Sequence, residues 1–168
     1  MAGITNVDFS EYEITELGIR ISPAVKADIL KCVGKLEEEL TSKTVQKKCG
    51  SKVIKTRTKG TGSGTLKFSA YTPQDMLVDM HGMSRKDLKD GIVAYGQSSL
   101  HAVACVTAKI LNEDGDVKYK AYPNCTITNG LSRTVDNDTE DVAMLELEIA
   151  VMPDENGEGM YEAIETDL

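Results

Sequence analysis

The sequence has no tryptophan, two phenylalanines and two histidines, and aromatic residues make up only 5% of its 168 positions. A core must therefore come from aliphatic side chains, which the 40% hydrophobic content allows. No apolar run approaches the roughly 20 residues of a membrane-spanning helix, so no membrane partner is expected. Met1 to Ile14 shows neither a basic n-region nor an apolar h-region, which argues against a secretory signal and for synthesis in a cytoplasm. Cys32, Cys49, Cys105 and Cys125 form no C-x-x-C pair, and reduced thiols suit that compartment. His81 and His101 are too few for the usual four N or S ligands of zinc. His101 and Cys105 do not make a nucleophilic pair, because four residues along a strand span about 13 Å. No catalytic residue, metal or cofactor is expected, and the chain reads as a non-enzyme.

Basic residues are absent after Arg133, so the chain runs out to Leu168 purely acidic. The formal net charge of −8 argues against a dedicated nucleic-acid binder, which is usually basic. The cations are instead gathered in one stretch. Lys43, Lys47, Lys48, Lys52, Lys55, Arg57 and Lys59 crowd a segment whose apolar side chains are only Val45, Cys49, Val53 and Ile54. Such a segment buries too little surface to offset its own ordering entropy. Its Thr, Val and Ile content suits a pleated strand. The expectation is a long β-hairpin or extended arm over residues 41–64 that leaves the body and is ordered by something else. A plain solvated basic loop is the alternative. Gly60, Gly62 and Gly64 close the stretch; they precede a strand and lack the G-K-[ST] ending of a phosphate loop, so they read as a flexible hinge.

Single-domain organisation is expected for this length. Residues 1–22 form an N-terminal arm or first strand, with Phe9, Tyr12, Ile14 and Leu17 able to dock and Gly18 and Pro23 as interruptions. Leu30, Cys32, Gly34 and Leu36 alternate with wetter residues as one strand, and Leu66, Phe68 and Ala70 make a second. These two are the stems of the arm. Thr72 as N-cap, Pro73 at the first helical position and Asp75 in the first turn predict a helix to His81, ended by Gly82. Leu100 to Leu111 is apolar on both faces and reads as a central buried strand. Asp114-Gly115 marks a hairpin, and a calcium loop is rejected for want of its twelve-residue pattern. Val117 to Tyr122 returns, Pro123 breaks it or marks an edge, and Cys125 and Ile127 begin another short strand. Ala143 to Met152 alternates cleanly, and residues 153–168 form a loose acidic tail with Met160, Tyr161 and Ile164 available to dock. The fold class is mainly β with one short helix, a β-sandwich or small barrel of about six or seven strands with the helix packed on one side.

The order of these features resembles the major tail, or tail tube, proteins of tailed bacteriophages, especially those of phages infecting Gram-positive bacteria. The residues that carry the likeness are Asp90-Gly91-Ile92-Val93-Ala94-Tyr95-Gly96, the strand Leu100 to Leu111, the hairpin Asn112 to Tyr119 and the strand Ala143 to Met152. The same fold lines contractile tails and related injection devices. The resemblance implies a structural virion protein forming six-membered rings that stack into a hollow tube, the conduit for DNA during ejection. It implies the chain itself as main partner, with tape measure and tail terminator proteins beside it and DNA passing non-specifically through the lumen.

On that reading the inter-subunit arm is Lys43, Lys47, Lys48, Lys52, Val53, Ile54, Lys55, Arg57 and Lys59. Glu146 and Glu148 share a strand face and either line the lumen or face bulk solvent. Two other readings stand beside it: a nucleic-acid-binding module using residues 47–59, and the tube subunit of a tail-like bacteriocin or injection particle. A surface-displayed β-sandwich adhesin is a further option, weakened by the lack of a signal peptide.

Overall fold

The computed structural model describes residues 8–21, 28–83 and 86–168. In chain order the elements are β1 (Glu13–Ile21), β2 (Asp28–Leu30), β3 (Val33–Cys49), β4 (Lys52–Ala70), α1 (Gln74–Met80), β5 (Val103–Leu111), β6 (Val117–Ile127), β7 (Leu145–Val151), β8 (Tyr161–Ile164) and a closing 3-10 turn, Glu165–Asp167. The fold is mainly β with one short helix, as expected.

The strands form one antiparallel sheet in the order β2-β1-β5-β6-β7-β4-β3, with β8 added to β6. β2 and β3 sit at opposite ends of that order, yet only Lys31 and Cys32 separate them in sequence. Two residues cannot span a flat seven-strand sheet with strands about 4.8 Å apart. The sheet therefore curls until its two ends approach each other, and β1 lies in contact with β3. Of the two architectures expected, this is closer to the barrel.

The inside of the curl is the core. Leu17 and Ile19 of β1, Leu66 and Phe68 of β4, Val106 and Ile110 of β5, and Leu147, Ile149 and Val151 of β7 are buried there. Leu66 pairs with Ile149 and Phe68 with Leu147, so alternation on both strands delivers facing side chains to one side. Met76 and Met80, one helical turn apart on α1, add to the same cluster.

Several expectations are corrected. The segment expected as one strand from Leu30 splits at Lys31-Cys32, because its halves serve opposite ends of the sheet. Gly18 does not interrupt: it lies inside β1, paired on both sides, while Pro23 lies outside the described residues. Pro123 does not end its strand. β6 runs through it and joins the two short strands expected there. The proline falls between residues 118–121, which pair with β8, and residues 125–127, which pair with β7. A residue with no N–H to give is tolerated where a strand changes partners. β5 is central but not buried on both faces: Val103 and Thr107 point outward and are exposed. Leu100 lies outside the strand and is 85% exposed. Thr72 does not cap α1. Pro73, in an extended conformation, takes the cap position, and the Met76 N–H donates to Asp75 Oδ1 at 2.9 Å. The acidic tail is not loose, since Tyr161–Ile164 is strand β8.

Candidate functional site

β4 pairs with β7 only from Gly64 to Ala70, whereas β3 and β4 stay paired out to Cys49 and Lys52. Beyond Leu40 and Gly64 the two strands therefore project from the body as a free hairpin, closed by the two-residue turn Gly50-Ser51 with Gly50 at φ +64. From Thr41 through Thr61 every residue is exposed. The hairpin form expected of residues 41–64 is thus present, and from Thr41 through Thr61 no part of it is buried.

Its register sorts the side chains by chemistry. Lys43 lies opposite Lys59, Val45 opposite Arg57 and Lys47 opposite Lys55. Directly paired residues share a face, so five cations surround Val45 on one side of the ribbon. The other side carries Ser42, Thr44, Gln46, Thr56 and Thr58, and the hydroxyls of Thr44 and Thr58 meet at 2.9 Å. Near the tip the register shifts, with Lys48 opposite Val53, and Ile54 is the extra residue of a bulge. Val53 and Ile54 stay exposed, Ile54 by 59%. None of the seven arm cations has an ion-pair partner among the described residues. Like charges placed directly opposite weaken a ladder by a few tenths of a kcal/mol or more each.

Gly62 and Gly64 at the arm's root are closely packed and not the flexible hinge expected, whereas Gly60 has open space around it. Gly62 has φ +80, and a Cβ there would lie 2.7 Å from the carbonyl oxygen of Gly157. The turn that meets it is built by Asp154, whose Oδ1 accepts the N–H groups of Asn156 and Glu158 and whose Oδ2 accepts the Tyr161 hydroxyl at 2.6 Å. Thr41 and Thr61 bond through their hydroxyls across the root.

A second anchor lies inside the curl. Glu38 of β3 and Glu11 reach Nζ of Lys120 on β6 at 2.8 and 2.7 Å. Tyr122 donates its hydroxyl to Glu38 at 2.9 Å. Lys118 sits beside Glu11 at 3.4 Å and 4.6 Å from the Phe9 ring centroid. Burial works against the Lys120 ammonium, but hydrogen bonds and charge from Glu11 and Glu38 outweigh it and hold its pKa above the ordinary lysine value. Burial and the Glu38 charge push the Tyr122 hydroxyl up as well, so it stays a donor. Nothing in the sequence periodicity marks this cluster; Glu38 reads as one of three consecutive glutamates.

Glu146 and Glu148 lie on the outer face of β7, where the register places Glu148 opposite Lys67 and Glu146 opposite Ser69. Lys35 and Glu37 complete a shallow depression with them. The face is mixed in sign, not a uniform acidic stripe. His81, at the end of α1, is wholly buried and packs edge-on against His101 at 5.1 Å between ring centroids. His81 Nδ1 donates to the Leu77 carbonyl at 3.1 Å, and its Nε2 has no hydrogen-bond partner. Tyr95 and His101 bond at 2.9 Å, which ties part of the Asp90 to Gly96 segment to the body.

No family model matches the sequence, and no curated protein is similar to it at a significant level. Solved structures do match in shape. A chain of the cryo-EM structure of the anti-feeding prophage tube-terminating cap superposes with a TM-score of 0.53 at 12% identity, over 96% of this chain and 98% of that one. A chain of the anti-feeding prophage baseplate structure gives 0.52 at 11% identity, over 94% and 97%. At these identities the likeness is one of fold: along almost its whole length, this chain is folded like chains of the anti-feeding prophage cap and baseplate structures.

Proposed function

We propose that this chain is a structural subunit of a phage tail tube or of the tube of a related tail-like particle, and not an enzyme. Six copies form a ring, rings stack into a tube, and the basic arm joins one copy to the next. The observation that carries this reading is the arm itself. Strands of 17 and 19 residues are paired far beyond the body, with every side chain from Thr41 through Thr61 exposed and none of the seven arm cations ion-paired among the described residues. A lone two-stranded ribbon is marginal in water, and this one also opposes its own lysines. Such a ribbon gains its stability from a surface that supplies carboxylates and covers its edge. The rest of the chain is strongly acidic, so a second copy is a suitable surface. The likeness to cap and baseplate chains supports a tail-type assembly, and the sequence resemblance adds the finer expectations: tape measure and terminator partners, and DNA sliding through the lumen.

The second reading, a nucleic-acid module, is favoured by one feature: five of the arm's cations share a face, as a phosphate-tracking ribbon requires. That face presents no aromatic side chain on which bases stack.

One shortened chain tests both. Ser42 and Gly60 are paired across the ribbon, so replacing residues 43–59 by Asn-Gly keeps the root and its packing intact. The shortened protein folds with unchanged body stability and forms no rings or tubes by electron microscopy at concentrations where the full chain does. Normal tubes from it would remove the arm from the assembly. Salt-sensitive DNA binding by the full-length monomer, lost on shortening, would favour the second reading.

A further inference from the structure

The outer face of the curl between β2 and β8 carries an open apolar groove of about 500 Å³. Its rows follow from register. Ile29 pairs with Gly18, Gly18 with Thr107, Thr107 with Ala121 and Ala121 with Tyr161. Directly paired residues lie side by side on one face, so this is a single line across five strands. Small side chains form the floor, and Ile29 and Tyr161 stand at its two ends, both about half exposed. Tyr119 and the C-terminal Leu168 extend the apolar lining. Glu16 borders the groove directly opposite Lys109, and Glu165 lies beside it, accepting the Tyr119 hydroxyl at 3.3 Å. Lys120 and Glu162 also line it, with Glu162 held 3.9 and 4.0 Å from Lys118 and Lys120. The face is thus apolar in the middle with a rim of both signs, in which Glu16 and Glu165 are the carboxylates outside the Lys118 and Lys120 cluster.

We propose that this groove receives the arm tip of a second copy of this chain. The tip offers the complementary pattern. Val53 and Ile54 are adjacent, exposed and apolar, with the bulge lifting Ile54 out of the ladder, and Lys52 and Lys55 flank them. Aliphatic side chains in the groove would leave these two lysines beside Glu16 and Glu165. A copy does not fill its own groove, because its arm is extended and exposed from Thr41 through Thr61. Arm and groove are different surfaces, so the contact is head-to-tail: each copy that accepts an arm still offers one, and the series closes into a ring or continues along an axis. This inference rests on the proposed assembly role and gives the arm its docking surface.

The test compares full-length chains that differ at exposed or half-exposed positions, each first checked for native folding by circular dichroism. Charge reversal in the arm (Lys52→Glu with Lys55→Glu) and in the groove (Glu16→Lys with Glu165→Lys) should each raise the concentration needed for assembly by about tenfold. Combining all four reversals in one chain should restore assembly towards the wild-type level. Thr107→Trp, which fills the groove floor without changing charge, should also block assembly. A pairing readout does not depend on those variants folding equally well. In a Cys32→Ser, Cys49→Ser background, Ile54→Cys and Thr107→Cys chains mixed under oxidation should give the mixed disulfide dimer. Groove variants that assemble like wild type, reversals with no rescue in combination, or no mixed dimer from assembled protein would overturn this docking surface while leaving the arm's role intact, provided the shortened chain still fails. Normal assembly of the shortened chain, or a wild-type chain that stays monomeric at every concentration, would overturn the assembly role as well.

Discussion

Glu38 on β3 reaches across the curl to Lys120 on β6, with Oε2 2.8 Å from Nζ. Lys120 is only 6% exposed, so its charge depends on Glu38 and Glu11 for compensation. Glu38 lies two residues before Leu40, where β3 leaves the body, so the pair also fixes the direction in which the arm departs.

Glu38→Ala should cost about 3 kcal/mol in urea denaturation, the lower end of the range for removing one partner of a buried ion pair, because Glu11 remains. The pH profile follows from the shifts. Lys120 is raised in the folded state, so its contribution is fully present below the unfolded lysine value near 10.4 and is lost as pH climbs through the folded value. For Glu11 burial pushes upward, but the hydrogen bonds and charges of Lys120 and Lys118 leave it net lowered. Its contribution is lost as pH falls below the usual carboxylate range. An alkaline loss of stability that is as steep in Glu38→Ala as in wild type would count against the pair.

Gly62→Ala should destabilise the root by about 1–3 kcal/mol, from a strained left-handed backbone and a Cβ driven against the Gly157 carbonyl and Pro153. Hydrogen exchange should quicken at Asn156 and Glu158, whose amides are held by Asp154. Unchanged protection there would show that the two segments are not coupled.

Acid should weaken the end of α1. Burial lowers the His81 pKa; its hydrogen bond to Leu77 works the other way, and the nearby His101 and Arg133 charges depress it further. Nδ1 already donates, so an added proton would sit on the buried, unpartnered Nε2. The neutral form is therefore favoured in the folded state, and stability falls as pH drops through the unfolded histidine value of about 6.5. His81→Leu should flatten the change in melting temperature between pH 7.5 and 5.5. An equally steep change in that variant would assign the effect to other groups.

Thiol chemistry should divide the cysteines. Cys49 at the arm tip and Cys32 are exposed, whereas burial pushes the Cys125 thiol up to about 12. A thiol-reactive dye should label Cys32 and Cys49 in the native protein and Cys125 only on unfolding. Protection of Cys49 on assembly would report directly on the arm tip. Rapid native labelling of Cys125 would contradict the packing of β6.

Local rules made much of the sheet readable. Leu66, Phe68 and Ala70, and again Leu147, Ile149 and Val151, alternate because each strand has one buried face, and that pattern survives in the amino-acid order alone. The arm was legible for the opposite reason: seven cations with almost nothing apolar between them leave no face to bury. What escaped depends on contacts distant in sequence. β2 and β8 are three and four residues long, too short to show a period, and form because β1 and β6 offer them edges. Thr72 looks like an N-cap until Pro73 takes that position. Leu100 to Leu111 looks buried on both faces because Leu100 and Val103 are apolar yet exposed, which residue type alone does not reveal. Lys120 gave no signal, since its partners lie 82 and 109 positions away in the chain.

β3 is an edge strand of 17 residues, and an uncovered edge of that length ordinarily invites like to stack on like into fibrils. Lys43 and Lys47 recur along it four residues apart on one face, so two such edges brought together would set ammonium against ammonium. Newly made copies thus keep their distance from one another's ribbons while remaining attracted to carboxylate-bearing surfaces. The same lysines that leave the ribbon unfinished also govern which unions are allowed, and a chain stripped of them would be expected to gel before it could build anything ordered.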